Sequence, residues 1–593
     1  MLNFKKNNLA KATSPYLRQH KDNPIYWQQW SKEVLEYAKN GDSAIFVSVG
    51  YATCHWCHVM AHEAFSNEAV AGFLNEHFVS IKVDREQRPD IDNYMLLFML
   101  ETRGQGGWPL NVFLTPDLKP FFAVTYVPLE PSHDLPGFLD VLRTVLEVYH
   151  QHKSGIQNYL PLVHKGEPAE ERHIIQAIKD HFITDWFGFG AKFPPYTTLL
   201  FLVSYYEKVK DPEIRGILEK ILNVMAARGL HDHLQGGFYR YCVDSFWTIP
   251  HFEKMLYDQA MLLWVYSMAY KVLRKPEYRT IVEKLVVCLD DTYADGLYFA
   301  AHDADTDYQE GATYLWDKEE LHRRLTRPQY KQFIELYEIE KNFEGKVHLI
   351  KKKNSFLPEI EEKLLRIRKK RKQPFIDRKL LTSWNAFIGI GFMLAYRSLD
   401  VHALKAKAVW LFKKILERHY RKGVLYHSSY EGSLQEGEFL EDCAAMLLYA
   451  TYVYEETGKY KEIIEQLYRK LGTFYVQHWI ESKSNDFIET PAQTFDHPLP
   501  SSTSLAEMAQ LRASIILGKE YAPVDYKQPL QHDFFNLMVF IRNGNWHVLH
   551  TPHTIAWNLL PMNCLQIHDT KLRDCYGQKC REFKDVSRLL ASL

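Results

Sequence analysis

The sequence predicts two unlike folds in one chain: an α/β domain organised around a Cys-x-x-Cys, then a closed ring of helical hairpins. Three observations carry this. Residues 44–49 form a short apolar, β-branched run that passes through Gly50 into Cys54-His55-Trp56-Cys57-His58, whose downstream residues suit a helix. From about residue 170 apolar residues recur with helical period, and the helices come in pairs. Between pairs lie glycine-and-aromatic segments at Gly237, Gly296, Gly423 and, more weakly, Asp486, which stand 59, 127 and 63 residues apart. That is one hairpin per ~60 residues with one unit unmarked, the mark of stacked or ring-closed hairpins.

The first element is an arm. Residues 9–30 hold two prolines and several aromatics and read as extended, leading into a helix at 31–39 that Ser31 caps and Gly41 stops. The strand at 44–49, a loop at 50–53 and a helix opening at Cys54 follow in the order of a thioredoxin-like redox site. Residues 78–84 alternate as a strand, 90–103 read as a helix, and 108–115 form a strand with Pro109 at its start, where a missing N–H is tolerable. Thioredoxin folds place a cis-proline at that point. A strand at 121–126 and a helix at 136–152 close the domain.

Helices are then expected at 170–183, 197–209, 213–229, 253–273, 276–291, 384–399, 401–420, 438–457, 459–479 and 503–518. Six hairpins over 170–518 make an (α/α) toroid whose funnel is lined by helix ends. The expected domains are 1–165, thioredoxin-like with the arm; 166–520, the toroid; and 521–593, a partly β segment closing on the toroid, with strands at 536–541 and 546–549. Residues 346–379 are strongly basic; a solvated face and linker suits them better than a polyanion site in a chain of net charge −1.

At 593 residues the chain is too long for one core, and its 46% apolar and 24% charged residues are those of a globular protein. Near-neutral charge argues against nucleic acid or an anionic membrane as main partner. The most apolar stretch, around 384–396, is shorter than the ~18–20 residues that span a bilayer. The first residues are basic without an apolar segment, so no signal peptide is expected and the expected location is cytoplasmic, where a Cys-x-x-Cys is catalytic or sensing.

The chemistry of the motif follows from its place. A helix start carries unpaired N–H groups and partial positive charge, which favour a thiolate. Cys54 is expected exposed there as the attacking sulfur, Cys57 shielded one turn in as the resolving sulfur, with His55 and His58 adding positive charge. Cys-His-x-Cys-His also offers four soft ligands. Neighbours in sequence cannot easily close a tetrahedron, so no metal and no cofactor are expected, though a zinc site and an inert remnant stay open as rival readings.

In the toroid, His251, Glu253, Asp303, Asp305, Trp384, Asn385, Glu441 and Asp442 all lie at or just before helix starts. Alternate helices of a ring of hairpins share one end, so these groups are expected to converge in one polar pocket. Carboxylates, histidines and tryptophan together suit a small or carbohydrate-like ligand, with acid–base work on a glycosidic bond or proton movement in a sugar epimerisation or isomerisation as a second possibility. Helix capping is the plain alternative for any one residue.

Several stretches resemble one family, the thioredoxin-domain proteins of the spermatogenesis-associated protein 20 type with bacterial YyaL-like members. These are Ser14-Pro-Tyr-Leu-x-Gln-His20, Gly50-Tyr-x-Thr-Cys-His-Trp-Cys-His-Val-Met60, Lys82-Val-Asp-Arg-Glu-x-Arg-Pro-Asp90, Gly106-Gly-Trp-Pro-Leu-Asn-Val-Phe-Leu-Thr-Pro116, His251-Phe-Glu-Lys-Met-Leu-Tyr-Asp258, Asp303-Ala-Asp305, Leu381-Thr-Ser-Trp-Asn385 and Phe439-Leu-Glu-Asp442. The resemblance runs from about residue 8 to 518 and resumes at Cys575 and Cys580. It implies a thioredoxin-like domain joined to a six-hairpin toroid of glycosidase-like type, and it leaves the activity undefined. Residues 519–565 are shorter than the family's equivalent, and Pro500-Ser-Ser-Thr-Ser504 stands where the family has Pro-Ser-Gly-Asn-Ser. The resulting expectation is a thiol–disulfide or redox-sensing protein with a thiol redox partner, fused to a ligand-binding toroid. A sugar-active enzyme and a non-catalytic binding protein stand as alternatives.

Overall fold

The computed structural model describes residues 3–132, 135–161, 170–435, 437–496, 499–521, 533–576 and 579–593; the expected domain boundary at 165/166 lies outside them. The N-terminal domain is a five-stranded sheet of β1 (Gln28–Gln29), β2 (Ile45–Gly50), β3 (Val79–Asp84), β4 (Leu110–Leu114) and β5 (Pro120–Val124), in the order β1-β3-β2-β4-β5. β1 and β2 run parallel to β3, and β4 lies antiparallel to β2 and β5. The Cys-x-x-Cys follows the central strand, β2. The period-two alternation of that strand divides the core. Ile45, Val47 and Val49 pack with α2 (Lys32–Asn40) and α5 (Pro89–Arg103), while Phe46 packs with α3 (His55–His62), α4 (Glu68–His77) and α6 (Phe138–His152). The Trp108–Pro109 bond is cis, as expected.

The arm is less extended than its prolines suggest. Ser14 caps a short helix, α1 (Pro15–Gln19), with Pro15 at its first position, and β1 adds an edge strand to the sheet.

The helical domain contains α7 (Glu171–Phe187), α8 (Tyr196–Val209), α9 (Pro212–Ala227), α10 (Leu256–Leu273), α11 (Pro276–Thr292), α12 (Lys318–Arg324), α13 (Arg327–Leu336), α14 (Pro358–Arg368), α15 (Thr382–Leu399), α16 (His402–His419), α17 (Leu440–Thr457), α18 (Lys461–Gly472), α19 (Ser502–Leu517) and α20 (Asp533–Arg542). Packing runs α8–α10–α15–α17–α19–α20 and back to α8, which closes a ring of six inner helices. α9, α11, α16 and α18 pair outside α8, α10, α15 and α17. The glycine-aromatic segments turn the chain back inward; Gly296 and Gly423 take the positive φ, 78° and 81°, that such turns need.

Three expectations need correction. Among the described residues only four full hairpins surround the ring. Its sixth inner helix, α20, comes from the segment expected as a strand at 536–541. That decapeptide is apolar almost all round, so it shows no helical stripe, and it is buried on nearly every side. The basic stretch is also not merely a solvated face. Arg368 is buried against Asp232 at 2.7 Å, Lys351 against Glu361 at 2.8 Å, and Lys379 lies fully buried between the domains.

Strands β6 (His547–Thr551), β7 (Cys564–His568), β8 (Arg573–Tyr576) and β9 (Lys579–Glu582) make a C-terminal sheet in the order β7-β6-β8-β9. It covers the C-terminal ends of the inner helices: the Gln566 N–H donates to Glu455 of α17. A last short helix, α21 (Val586–Leu590), ends the chain. No helix among the described residues is long and apolar enough to cross a membrane.

The N-terminal domain sits over the opposite end of the ring. Its β3–α5 turn is the anchor. Lys379 Nζ lies 2.6 Å from Asp84, 2.7 Å from Glu86 and 3.3 Å from Asp377. Arg88 pairs with Asp90 of its own domain and with Asp486, each at 2.9 Å. The motif Lys82–Asp90 is therefore a docking element.

Candidate functional site

The site grows from the end of β2. Gly50 ends the strand, residues 51–53 turn, and Cys54 caps α3, its sulfur accepting the Cys57 N–H at 3.2 Å. Cys54 and Cys57 are joined as a disulfide. Cys54 is 3% exposed and Cys57 1%, against the expectation of an exposed Cys54. The cause is domain docking, which sequence-local reasoning does not see. The Tyr51 and Thr53 hydroxyls donate to Glu253 of the helical domain at 3.1 and 2.6 Å, and Arg240 reaches the same carboxylate at 3.1 Å. Trp56 is the exposed residue of the motif.

Both histidines of the motif point at helical-domain carboxylates. His55 Nδ1 lies 2.9 Å from Asp305; His58 Nδ1 lies 3.6 Å from Asp305 and its Nε2 3.9 Å from Asp303, while Nε2 donates to the Ala52 carbonyl at 2.9 Å. Burial alone would lower the His58 pKa. The hydrogen bond to Asp305 and the charge of Asp303 outweigh it and bring it to about 9. Burial pushes Asp303 up to about 7 against the pull of His58. Burial also opposes the ionised form of Asp305, yet its bonds to His55 and His58 hold it well below the usual carboxylate range. His251 completes the group, 2.6 Å from Glu310 and 3.7 Å from Glu253. His58, Asp303 and Asp305 each present one ligand atom within 4.8 Å of the others, a spacing that could hold a cation. With the His58 pKa at about 9, a cation would have to displace its proton.

A second group lies at the ring mouth around a cavity of about 90 Å³, lined by Arg85 and Asp92 of the N-terminal domain and Tyr257, Trp384, His427 and Glu441 of the ring. His427 Nδ1 lies 2.7 Å from Asp442 and its Nε2 2.7 Å from the Glu86 carbonyl oxygen. Burial lowers the His427 pKa, but Asp442 outweighs it and raises it to about 9. Burial and the neighbouring Asp442 charge push Glu441 up to about 7. Glu441 Oε1, the Tyr257 hydroxyl and Arg85 Nη1 are buried without a hydrogen-bond partner. Three such atoms around one cavity are uncommon in a folded protein, where buried polar groups are satisfied.

The expected single pocket is therefore two groups. His251, Glu253, Asp303 and Asp305 stand with the cysteines; Trp384, Glu441 and Asp442 stand at the ring mouth. Between them run Arg240 and Arg85, whose guanidinium lies 3.9 Å from the Trp108 ring, and Asp92, which accepts from the Trp108 indole at 2.7 Å. Asn385 joins neither: its side chain bonds the Tyr298 backbone N–H and carbonyl and the Leu381 carbonyl, and so fixes the start of α15. Asp442 caps as well as pairs, accepting the Ser383 N–H at 3.0 Å. Arg85, Arg240, Tyr257 and His427 were not expected. Arg240 and Tyr257 belong to residues 240–258, a stretch dense in functional side chains at a helix entry, and Arg85 to the Lys82–Asp90 motif; His427, in a hairpin after α16, carries no signal of its own.

A family model described as Thioredox_DsbH, a protein of unknown function (DUF255), matches residues 6–164. An uncharacterized protein of Caenorhabditis elegans is 31% identical over 597 residues, covering 87% of this chain and 81% of that protein. Spermatogenesis-associated protein 20 of Rattus norvegicus is 32% identical over 498 residues, 72% of this chain and 63% of the rat protein. The chain belongs to the spermatogenesis-associated protein 20 family. Its match spans less than two thirds of the rat member. Among solved structures, cellobiose 2-epimerase from Bacillus thermoamylovorans B4167 is similar over 59% of this chain and 76% of its own, at 11% identity and a TM-score of 0.39. A DsbH oxidoreductase is similar over 21% of this chain and 85% of its own, at 19% identity and a TM-score of 0.17. Scores this low carry no functional argument.

Proposed function

We propose that this protein is a cytoplasmic thiol–disulfide redox protein whose Cys54–Cys57 couple reacts with a small molecule at the domain interface, beside a ring mouth that holds a small polar, carbohydrate-like ligand. The observation that carries this is a helix-capping Cys54 beneath the helical domain, with His55 and His58 held against Asp305. A small thiolate attacks Cys54, forming a mixed disulfide and releasing the Cys57 thiolate; a second thiolate then takes the first, leaving a dithiol and a small disulfide. The helix N-terminus and the cationic histidines favour Cys54 as thiolate. Oxidation of small thiols runs the same steps in reverse. Burial of both sulfurs argues against a large protein as partner. The test compares glutathione with a protein substrate such as insulin. Exchange with glutathione at least tenfold faster is expected, and lost in Cys54→Ser; equal rates with insulin would overturn the reading.

A second reading places catalysis in the ring mouth. Glu441, with its pKa near 7 and its place in the cavity wall, has the protonation a general acid needs in a sugar-active enzyme. Turnover of a sugar that survives Cys54→Ser and is lost in Glu441→Gln would favour it.

A further inference from the structure

Tyr16 is fully buried, and its hydroxyl is among the buried side-chain atoms without a hydrogen-bond partner. It belongs to the arm, on the short helix α1, which Ser14 fixes from both sides: the Ser14 hydroxyl oxygen accepts the Leu17 N–H at 3.2 Å, and the hydroxyl donates to Asp84 at 2.5 Å. Where it points is given by Gly50. A methyl placed on Gly50 would lie 2.3 Å from the Tyr16 hydroxyl oxygen and 2.7 Å from Cys57 Sγ, so those two atoms lie within about 5 Å of each other. No side chain fits between them, and the bare glycine is what lets the hydroxyl face the sulfur.

We propose that Tyr16 is a positioning residue for the resolving cysteine: its hydroxyl, idle in the disulfide, donates a hydrogen bond to Cys57 Sγ when the disulfide is reduced. This rests on the redox reading above and deepens it. When a disulfide bond of ~2.05 Å opens to van der Waals separation, each sulfur shifts by about an ångström, the size of move that carries a sulfur ~5 Å from a hydroxyl into hydrogen-bond reach of it. The two sulfurs then have different donors. Cys54 has the Cys57 backbone N–H, already at 3.2 Å, and Cys57 has Tyr16. Burial and the charge of Asp84 hold the phenol far above its usual pKa, so it stays a donor. A buried hydroxyl that finds its partner only in the dithiol is left unsatisfied in the disulfide, so the reduced form gains stability that the oxidised form does not share.

The experiment equilibrates the full chain, as wild type and as Tyr16→Phe, with glutathione and glutathione disulfide at fixed pH, and counts the oxidised fraction by mass after trapping. Tyr16→Phe is expected to favour the disulfide about tenfold, equivalent to ~30 mV for a two-electron couple. The oxidised variant is expected to melt with the wild type, because no partner is lost there. Tyr126→Phe, which removes a hydroxyl bonded to Glu63 at 2.7 Å, serves as control and is expected to leave the couple unchanged. Coincident titrations of wild type and Tyr16→Phe would overturn the role of Tyr16 and leave the redox reading standing. A wild-type pair that never exchanges with glutathione would overturn both. If Tyr16→Phe does not fold, the reduced-minus-oxidised vibrational spectrum of the wild type decides: a shifted tyrosine C–O band supports the inference, and an unshifted one overturns it.

Discussion

At the C-terminal end of the ring, Glu455 lies 3.0 Å from Arg397 and also takes Arg512, and Glu456 lies 3.1 Å from Arg397. Trp557 stacks on Arg397 at 3.7 Å, Trp546 covers Arg512, and the C-terminal sheet seals the whole. The remaining space, about 50 Å³, is walled mainly by apolar and aromatic side chains. At the N-terminal end the same inner helices present Glu441, Tyr257 and, from the docked domain, Arg85, with atoms left unpartnered around a larger cavity. Charge at the sealed end is almost all paired off and holds the ring together; Glu456 Oε2 and the Trp557 indole nitrogen are buried there without a hydrogen bond, and that oxygen still lies 3.5 Å from Lys405. Charge at the mouth is left incomplete, at a stability cost that a site awaiting a ligand explains and a plug does not.

The sharpest way to break this contrast is at the sealed end. Glu455→Gln leaves Arg397 and Arg512 buried beside a neutral amide. Removing one partner of a buried ion pair costs about 3–5 kcal/mol, and a loss of that size is expected in denaturant unfolding of the full chain. A loss below about 1 kcal/mol would mean the sealed end is not held by its charges.

At the mouth the same kind of change has the opposite sign. Glu441 has a folded pKa near 7, against 4.5 unperturbed. Below pH 4.5 it is protonated in both states and contributes nothing. As pH rises, the unfolded chain ionises first, so stability falls through pH 7 by roughly 3 kcal/mol in all. Glu441→Gln removes that slope. The variant is expected to match the wild type near pH 4.5 and to exceed it above pH 7.5. Equal stability of the two proteins at pH 8 would show that Glu441 is ionised and paired, and the contrast between the two ends would go.

Much of this organisation was legible in the sequence because it is local. The strand ending at Gly50, the capping Cys54 and the hairpin period come from residues close together in the chain. That helix starts gather at one end is a property of any ring of hairpins, so Glu253 and Glu441 could be placed toward that end from position alone; Asp305, expected there for the same reason, instead lies on a β-hairpin between α11 and α12, well before the next helix start. What was not legible depends on docking. The N-terminal domain buries Cys54 and lays Arg85 and Trp108 across the mouth, which divides one expected pocket into two. α20 was missed for another reason: a short helix buried on nearly every side has no polar stripe to give its period away.

The smallest of these effects separates the two groups the docking creates. Asp305, unlike Glu441, is already paired, with His55 at 2.9 Å and His58 at 3.6 Å. Asp305→Asn keeps the shape and removes the charge, and losing a hydrogen bond to a charged partner is expected to cost about 2 kcal/mol. The pH dependence identifies the source. With its folded pKa raised to about 9 from 6.5, His58 contributes stability that is fully present below pH 6.5 and lost as pH rises through 9. Asp305 itself, held low by the histidines, contributes in full above its unfolded value of about 3.8 and loses that contribution as pH falls below it. The gap between wild type and variant should therefore be widest between about pH 4 and 6.5 and close above pH 9. The same change lets His58 lose its proton near neutral pH, so alkylation of the reduced Cys54 at pH 7.5 should slow several-fold. A stability gap that persists at pH 9.5, with alkylation unchanged, would make Asp305 a structural partner of α3 and leave the ring mouth as the one chemically prepared region of the interface.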